Sequence, residues 1–326
     1  MGDTLSQNVL GLSSCVIAVV GPTASGKSAF AQALALEYNG EVVGADSMQI
    51  YQGMDIGTGK LEPGERKVPH HGIDLCLPDA PYSVALYQSF ARGCFKEIDT
   101  RQKRSFLCGG SGLYIRAAID DYHFPRGEQV GNPIRDHYAR IAEAQGAEAL
   151  WGLLEKRDSE SAALIHPHNT RRVIRAFEML EEGTSYAEQH TGLSGIRQVV
   201  PTVFIGLAVD TDILRARISS RVDAMITKGL VAEVESLLDR GFRSSITAPQ
   251  AIGYKEIVEV IEGTATLDEA IEAIKTATCR YAKRQRTWFR RDPRINWLHA
   301  DSGDTEKMVY QARELLGTMD QTYYSA

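Results

Sequence analysis

A glycine-rich stretch at residues 21–28 constrains this 326-residue chain more than any other feature. It reads GPTASGKS and matches the pattern G-x-x-x-x-G-K-[ST]. The apolar run at residues 15–20 predicts a buried strand before it, and the alanine-rich residues 29–36 predict a helix after it. In this order the loop binds phosphate, because its backbone N–H groups and the helix N-terminus converge on one anion. The sequence therefore predicts an α/β sheet with a site for a diphosphate or triphosphate.

Particular positions of this loop have predicted roles. Gly21 and Gly26 let the backbone curl until its N–H groups point inward, and Lys27 adds a positive charge. The Ser28 hydroxyl is placed to ligate Mg²⁺, the cofactor that we expect. The other loop residues predicted to surround the phosphates are Pro22, Thr23, Ala24 and Ser25.

Composition excludes some classes of function. A net charge of -6 argues against a protein that coats nucleic acid indiscriminately, but it leaves room for a local basic patch. No apolar run approaches the ~20 residues that span a bilayer, and residues 1–11 lack the features of a signal peptide. We therefore expect a cytoplasmic protein without membrane contact. Its five cysteines include no C-x-x-C pair, which favours buried reduced thiols over a zinc site.

Two further predicted strands end in polar residues. The first, at residues 40–46, ends at Asp46, and the second, at residues 105–108, runs into a glycine-rich turn that contains Ser111. Ligands of open α/β sheets bind at the carboxyl ends of strands, so both side chains are expected near the phosphate loop. The pair Asp46-Ser47 is also a common helix cap, and the residues alone leave capping and catalysis open.

An ordinary ATPase would end one of these strands in a Walker B aspartate. Here the strand at residues 105–108 ends in glycines. The best alternative is Asp210, at the end of a predicted strand over residues 199–210, and it lies far downstream. This departure argues against the ATPase interpretation.

The middle of the chain contains no evident strand between residues 122 and 198. Residues 135–157 and 170–182 predict helices there, and residues 211–238 predict a helix after the next strand. We therefore expect an α/β fold with a P-loop parallel sheet flanked by helices and an all-helical insertion domain. Its predicted parts are a first core segment (13–121), the insertion (122–198) and a second core segment (199–326) with a basic C-terminal helix.

Residues 280–294 carry seven basic residues against one acidic residue. Tyr281, Trp288 and Phe289 interleave with them. This combination is typical of a nucleic-acid surface, although a solvated helix face whose aromatic residues point into the core gives the same pattern. The adjacent His70 and His71 favour a structural role over a metal site, because neighbouring residues point apart on a strand.

Taken in order, the motifs resemble those of the bacterial tRNA dimethylallyltransferase family. They read GPTASGKS, ADSMQIYQGMDIGTGK, HHGID, GGSGLY, RRVIRAFE, QAIGYKE and RYAKRQRTWFRR. The resemblance runs from about Val16 to Asp292. It implies transfer of a dimethylallyl group from dimethylallyl diphosphate to N6 of adenosine 37 in tRNAs that read codons beginning with U. The products would be N6-(dimethylallyl)adenosine and diphosphate.

The resemblance also implies roles for individual residues. Asp46 would be the general base, and Ser111, at a position where the family more often has threonine, would hydrogen-bond near the target amine. Either Arg217 or Arg221 would contact the diphosphate. The positions that match tRNA contacts are Asp46, Ser47, Met48, Gln49, Ser111, Arg135, Arg171, Arg172, Arg175, Gln250, Gly253, Tyr254, Lys255, Lys283 and Arg284. The expected partners are the tRNA anticodon stem-loop and dimethylallyl diphosphate, and we expect a monomer.

Three other functions compete with this one. A related class of enzyme prenylates free AMP, ADP or ATP with the same loop and aspartate, but the helical insertion and the basic helix favour tRNA. A small-molecule kinase or NTPase would require a Walker B carboxylate close to the loop. An RNA-binding protein with an inactive site would not be expected to have Lys27, Ser28, Asp46 and Ser111 together.

Overall fold

A computed structural model describes residues 15–122, 124, 132–192, 197–244 and 247–324 of the chain. Six strands of the described residues form one sheet in the order β3-β2-β4-β1-β5-β6, and every neighbouring pair is parallel. The strands are β1 (Val16–Val20), β2 (Gly40–Gly44), β3 (His70–His71), β4 (Arg104–Gly109), β5 (Thr202–Ala208) and β6 (Ile295–His299). The sequence VIAVV of β1 is fully buried, as expected for a central parallel strand covered on both faces.

Helices cover the sheet and fill the segment between β4 and β5. They are α1 (Lys27–Glu37), α2 (Val84–Thr100), α3 (Gly112–Ile119), α4 (Pro133–Gln145), α5 (Ala147–Arg157), α6 (Ser159–Ala163), α7 (Thr170–Glu181), α8 (Tyr186–Gly192), α9 (Thr211–Thr227), α10 (Leu230–Leu238), α11 (Tyr254–Ile261), α12 (Leu267–Phe289) and α13 (Thr305–Tyr324). The predicted fold class, a P-loop parallel sheet flanked by helices with a helical insertion, is confirmed.

Two helices predicted as continuous are each divided by a glycine, so those predictions were wrong in length. Gly146 has φ 90° and separates α4 from α5 within the predicted helix 135–157. Gly229 has φ 100° and separates α9 from α10 within the predicted helix 211–238. A left-handed glycine at the end of a helix is a common stop signal, and it explains both breaks.

The chain forms two compact units, one of residues 120–198 and one of the segments up to 119 and from 199 onward. The first unit has its own core, in which the rings of Tyr138 and Phe177 stack 3.9 Å apart beside Leu150, Leu154 and Val173. Asn132 and Asn169 cap the N-termini of α4 and α7 through their side-chain oxygens. The core of the second unit is built on the buried strands of the sheet.

The described residues include no helix long and apolar enough to cross a membrane. All five cysteines are free thiols, and three of them, Cys15, Cys94 and Cys108, are buried.

Candidate functional site

The glycine-rich loop connects the carboxyl end of β1 to α1, as predicted. Gly26 precedes the helix with φ 87°, and Gly21 has φ 148°, conformations that other residues rarely adopt. A Cβ atom at Gly21 would lie 3.0 Å from the Leu207 carbonyl oxygen of β5, so the loop turns close to the neighbouring strand. The N-terminus of α1 therefore opens onto the carboxyl edge of the sheet, where it can hold an anion.

Lys27 lies inside this loop and donates to the Pro22 carbonyl oxygen at 2.5 Å. Loss of contact with water lowers the pKa of Lys27 to about 8, an effect partly opposed by the nearby Cys108 and Asp46 side chains. Its neighbour Ser28 is exposed, and its hydroxyl makes no hydrogen bond to any described residue. Ser28 is thus available to a ligand that approaches the loop.

Arg217 and Arg221 of α9 line the same cavity, here called the P-loop pocket, which has a volume of about 410 Å³. Arg221 donates to the Thr58 carbonyl oxygen at 3.1 Å, and its burial lowers its pKa against the opposing effect of Asp46. Arg217 donates to the carbonyl oxygens of Ala300 and Asp301 at 3.0 and 2.6 Å. Both guanidinium groups are therefore held by carbonyl oxygens while they face the pocket.

Asp46 follows β2 and lines two cavities at once. One is the P-loop pocket, and the other, here called the Tyr254 pocket, has a volume of about 270 Å³. Asp46 Oδ1 accepts from the Met48 backbone N–H at 2.9 Å, and Oδ2 makes no hydrogen bond within the described part of the chain. The two interpretations of Asp46 are thus compatible, because one oxygen fixes the local turn and the other is free to act.

Ser111 follows β4 and reaches the turn that contains Asp46. Its hydroxyl oxygen accepts from the Ser47 backbone N–H at 3.1 Å and donates to Ser47 Oγ at 3.3 Å. A Cβ atom at Gly109 would lie 2.0 Å from the Ala45 carbonyl oxygen, so this position requires glycine for the two turns to meet. The close approach of β2 and β4 therefore brings Ser47 and Ser111 into contact at the sheet edge.

Gln285 of α12 is a site residue that the sequence did not reveal. Its Oε1 accepts from the Thr23 backbone N–H at 2.8 Å, and its Nε2 donates to the Gly110 carbonyl oxygen at 3.0 Å. Tyr281, one turn earlier on the same face, lines the Tyr254 pocket, and burial raises its pKa to about 12. Tyr281 and Gln285 are four residues apart and share one face of the helix, which could have indicated a role for Gln285 in the site. The basic residues around them instead indicated a nucleic-acid surface.

The Tyr254 pocket brings together several positions that matched tRNA contacts. The predicted residues that line it are Asp46, Ser47, Met48, Gln250, Gly253, Tyr254 and Arg284. Gln49 lines the P-loop pocket instead, and Lys255 is exposed and pairs with Glu256 at 3.4 Å. Arg284 lies 5.7 Å from the centroid of the Tyr281 ring, a cation–π arrangement at the rim of the pocket.

Lys283 lies on another face of α12, in a groove of about 440 Å³ between α9 and α12. We call this the basic groove, and its charged lining residues are Arg215, Arg280, Lys283, Arg286 and Arg290. Arg280, Lys283 and Arg290 have no carboxylate partner among the described residues, and Arg286 donates to Thr211 Oγ1 at 2.8 Å.

The aromatic residues of this helix do not share one environment. Phe289 is buried, as the structural interpretation of the segment predicts, whereas Trp288 is 41% exposed, as the nucleic-acid interpretation requires.

The insertion presents its predicted arginines in two different ways. Arg135 makes two hydrogen bonds to the buried Glu178, at 2.7 and 3.1 Å, and Arg175 makes one to the same carboxylate at 2.9 Å. Arg171 and Arg172 are exposed. Arg135 and Arg175 therefore stabilise the unit itself, and Arg171 and Arg172 are the pair that α7 presents to solvent.

Asp210, the best Walker-B-like candidate, caps α9 instead. Its side chain accepts from the Asp212 and Ile213 backbone N–H groups, and these bonds lower its pKa. The described residues include no cluster of three or more His, Cys, Asp or Glu side chains that could hold a metal ion. His70 and His71 point to different partners, Gln32 and Glu41, in agreement with a structural role.

The fold and this site define a P-loop α/β protein with a second pocket that shares the Asp46 carboxylate. Residues 49–292 match the family model described as IPP transferase, and residues 14–68 match the one described as isopentenyl transferase. The chain is 47% identical to a tRNA dimethylallyltransferase of Carboxydothermus hydrogenoformans, over 92% of this chain and 98% of that protein. It is 44% identical to a tRNA dimethylallyltransferase of Bacillus subtilis, over 87% and 90% respectively. The chain belongs to the IPP transferase family.

Solved structures agree with this assignment. The tRNA isopentenylpyrophosphate transferase of Bacillus halodurans superposes with a TM-score of 0.70 at 38% identity, covering 96% of this chain and 98% of that one. A eukaryotic dimethylallyltransferase acting on tRNA superposes with a TM-score of 0.72 at 27% identity, covering 88% and 74% respectively.

Proposed function

We propose that this chain transfers a dimethylallyl group from dimethylallyl diphosphate to N6 of adenosine 37 in the anticodon loop of tRNA. The observation that carries the proposal is the position of Asp46, whose carboxylate lines both the P-loop pocket and the Tyr254 pocket. A diphosphate in the first pocket and an adenine in the second would meet at this side chain. The names of the similar proteins, tRNA dimethylallyltransferase and tRNA isopentenylpyrophosphate transferase, support the same reaction.

The P-loop pocket suits the leaving group. As the allylic C–O bond breaks, negative charge grows on the diphosphate, and Lys27, Arg217 and Arg221 all line the pocket that would hold it. Fixed positive groups of this kind stabilise the transition state more than they stabilise the substrate. A P-loop can therefore serve a prenyl transfer in which no ATP is hydrolysed.

Ser28 fits a Mg²⁺ ion bound together with the substrate. Its exposed hydroxyl makes no hydrogen bond to a described residue, and the described chain lacks a carboxylate cluster that would bind a metal independently. Mg²⁺ is commonly held by one or two protein ligands plus substrate phosphates and water. When bound, the ion would neutralise charge on the diphosphate.

Asp46 suits the acceptor side of the reaction. The lone pair of the adenine amine is delocalised into the ring, so a base must take a proton as the new N–C bond forms. Asp46 Oδ2 makes no hydrogen bond within the described residues, whereas Oδ1 is held by Met48 N–H. In this step the N6–C1 bond forms, the C1–O bond breaks, the proton moves to Asp46 and the diphosphate leaves.

The basic groove and the exposed arginines of α7 suit an RNA substrate. Unpaired cations along α12 can contact phosphates, and the Tyr254 pocket can receive one base that has left the stack of the loop. We propose that the protein acts on tRNA as a monomer.

The proposal can be tested with purified protein, Mg²⁺, labelled dimethylallyl diphosphate and an unmodified anticodon stem-loop that carries A36-A37-A38. We expect label in the RNA, and none when A37 is replaced by guanosine. Asp46→Asn keeps the shape of the side chain and removes the base, so the rate should fall by about 10²-fold or more. Asp99→Asn, at an exposed position of α2, is the matched control and should retain full activity.

The same assay separates the competing functions. Label in AMP but not in RNA would place the protein among the enzymes that prenylate free nucleotides. ATP consumption without label in either acceptor would restore the kinase interpretation. Tight RNA binding without any transfer would indicate an inactive RNA-binding protein.

A further inference from the structure

Residues 54–60, here called the partition loop, line both pockets although they form no regular element. Gly57 and Thr58 line the Tyr254 pocket, and Thr58 and Gly59 line the P-loop pocket. Any shift of this loop therefore changes the two pockets together.

Glu233 of α10 holds the centre of the partition loop with its carboxylate. Oε2 accepts from the backbone N–H groups of Asp55 and Ile56 at 3.1 and 2.7 Å. Oε1 accepts from the Gly57 backbone N–H at 3.2 Å and from the Tyr254 hydroxyl at 2.6 Å. One carboxylate thus accepts hydrogen bonds from three consecutive backbone amides of the loop and from the Tyr254 hydroxyl.

No lysine or arginine pairs with Glu233 in the part of the chain that the structure describes. Its negative charge is balanced by backbone and phenol donors, an arrangement that an amide cannot reproduce, because a glutamine side chain offers one acceptor oxygen and would turn an N–H₂ group toward N–H donors. The interaction depends on the charge and on both oxygens.

The loop transmits this restraint to Arg221. The Thr58 carbonyl oxygen accepts from Arg221 Nη2 at 3.1 Å and from Gln49 Nε2 at 3.2 Å. A Cβ atom at Gly57 would lie 2.4 Å from Tyr254 Cε2, and one at Gly59 would lie 2.2 Å from Arg221 Nη2. The Tyr254 ring therefore leaves no space for a side chain at Gly57, and a side chain at Gly59 would have to displace the Arg221 guanidinium.

We propose that Glu233 is a positioning residue that sets the geometry of both pockets through the partition loop. Among the described residues that line the two pockets, Glu233 is absent. It is nevertheless hydrogen-bonded to the partition loop, which separates them. The reaction that this geometry serves is taken from the proposed function. The hydrogen bonds that connect Glu233 to Arg221 through the partition loop do not depend on it.

The test compares Glu233→Gln with Glu235→Gln, a control at an exposed position of the same helix. The first measurement is hydrogen exchange at the amides of residues 55–57. Glu233→Gln should accelerate exchange there and leave α1 and α12 protected, whereas Glu235→Gln should match the wild type. Equal exchange in the two variants would overturn the proposal, and so would faster exchange spread evenly over the chain.

The second measurement follows function. Misplaced groups at a reacting centre cost about 10²-fold, so Glu233→Gln should lower kcat for prenyl transfer by a similar factor. It should also weaken binding of inorganic diphosphate, which needs no reaction. Its effect on diphosphate binding should be non-additive with that of Arg221→Lys, because both act on the contact with Thr58. Additive effects would indicate two unrelated structural losses and would refute the link.

Two further results keep the outcomes separate. If the wild type transfers no prenyl group, the proposed function fails, while the exchange and diphosphate data still decide the role of Glu233. If Glu233→Gln does not fold, Tyr254→Phe removes one of the four donors, and it should accelerate exchange at residue 57 alone. Unchanged exchange in that variant would contradict the proposal.

Discussion

Affinity for the prenyl donor should fall as the pH rises through about 8, because Lys27 loses its proton there. The protonated amine attracts the diphosphate, and the bound anion in turn raises the pKa of Lys27. Binding above this pH therefore takes up a proton. For a single group of pKa about 8, the apparent Kd contains the factor 1 + 10^(pH − 8), which is about 1.1 at pH 7 and about 11 at pH 9. The expected loss of affinity over these two pH units is about tenfold.

The assay is titration calorimetry with a non-reactive thio-analogue of dimethylallyl diphosphate between pH 6.5 and 9.5. Buffers of different ionisation enthalpy would report the number of protons taken up, which should approach one near pH 9. Lys27→Met is the control, because it keeps the ionisation of the ligand and removes that of the protein. At pH 7 its affinity should be lower by an amount near the 1.5–3 kcal/mol of a hydrogen bond to a charged group. This difference should narrow as the pH rises above 8, because the wild-type Lys27 then loses its own charge. A pH profile of the same slope in both proteins would refute the assignment to Lys27.

Three other predictions follow from single contacts. Gly109→Ala should destabilise the fold by about 2 kcal/mol, since its Cβ would collide with the Ala45 carbonyl oxygen; thermal unfolding measures this, and an unchanged Tm would contradict the contact. Gln285→Ala should raise KM for the donor, because it releases the backbone N–H of the P-loop; an unchanged KM would rule out that role. Burial alone would raise the pKa of Glu41, but its hydrogen bonds to Arg101, His71 and Lys103 outweigh this effect and lower the pKa to about 2. Its stabilising contribution should be present above about pH 4.5 and lost as the pH falls toward 2, so acid unfolding of Glu41→Gln should lack this component.

Much of the site could be predicted because its parts are local. Asp46 and Ser111 each lie just after a buried strand, and Lys27 follows β1 across the short glycine-rich loop. Parallel strands bring their carboxyl ends to one edge, so these residues come together. The divided helices were also within reach of the sequence, since Gly146 and Gly229 are the residues at which they break. A glycine after a helical segment is an ordinary stop signal, and it predicts both breaks.

The rest depends on contacts between distant parts of the chain. Gln285 binds an amide 262 residues earlier, and Glu233 binds one 178 residues earlier. Glu233 stands in none of the motifs, and the basic motif that contains Gln285 does not indicate which amide it binds. Arg135 reaches Glu178 in a further long-range contact that the sequence did not indicate, and Arg175 binds the same carboxylate. The tRNA contact that the resemblance implies for both arginines stays a prediction. Strand β6 was not predicted, although polar residues between apolar ones are typical of a half-buried edge strand. The segment is short and lies close after the basic helix.

The P-loop pocket keeps its positive charge available because its cations are held by carbonyl oxygens. In each case a side-chain N–H donates to a backbone carbonyl oxygen. The donor and acceptor residues are Lys27 and Pro22, Arg221 and Thr58, and Arg217 with both Ala300 and Asp301. A carboxylate partner would fix these side chains as well, but its charge would cancel theirs, and the ion pair would have to break when the diphosphate arrived. Carbonyl oxygens orient the donors and leave their charge for the ligand. Glu233 follows a similar rule, because among the residues that the structure describes its carboxylate accepts only from backbone amides and a phenol. A lysine or arginine paired with Glu233 would replace these donors, and the partition loop would lose the hydrogen bonds that fix the wall between the two pockets.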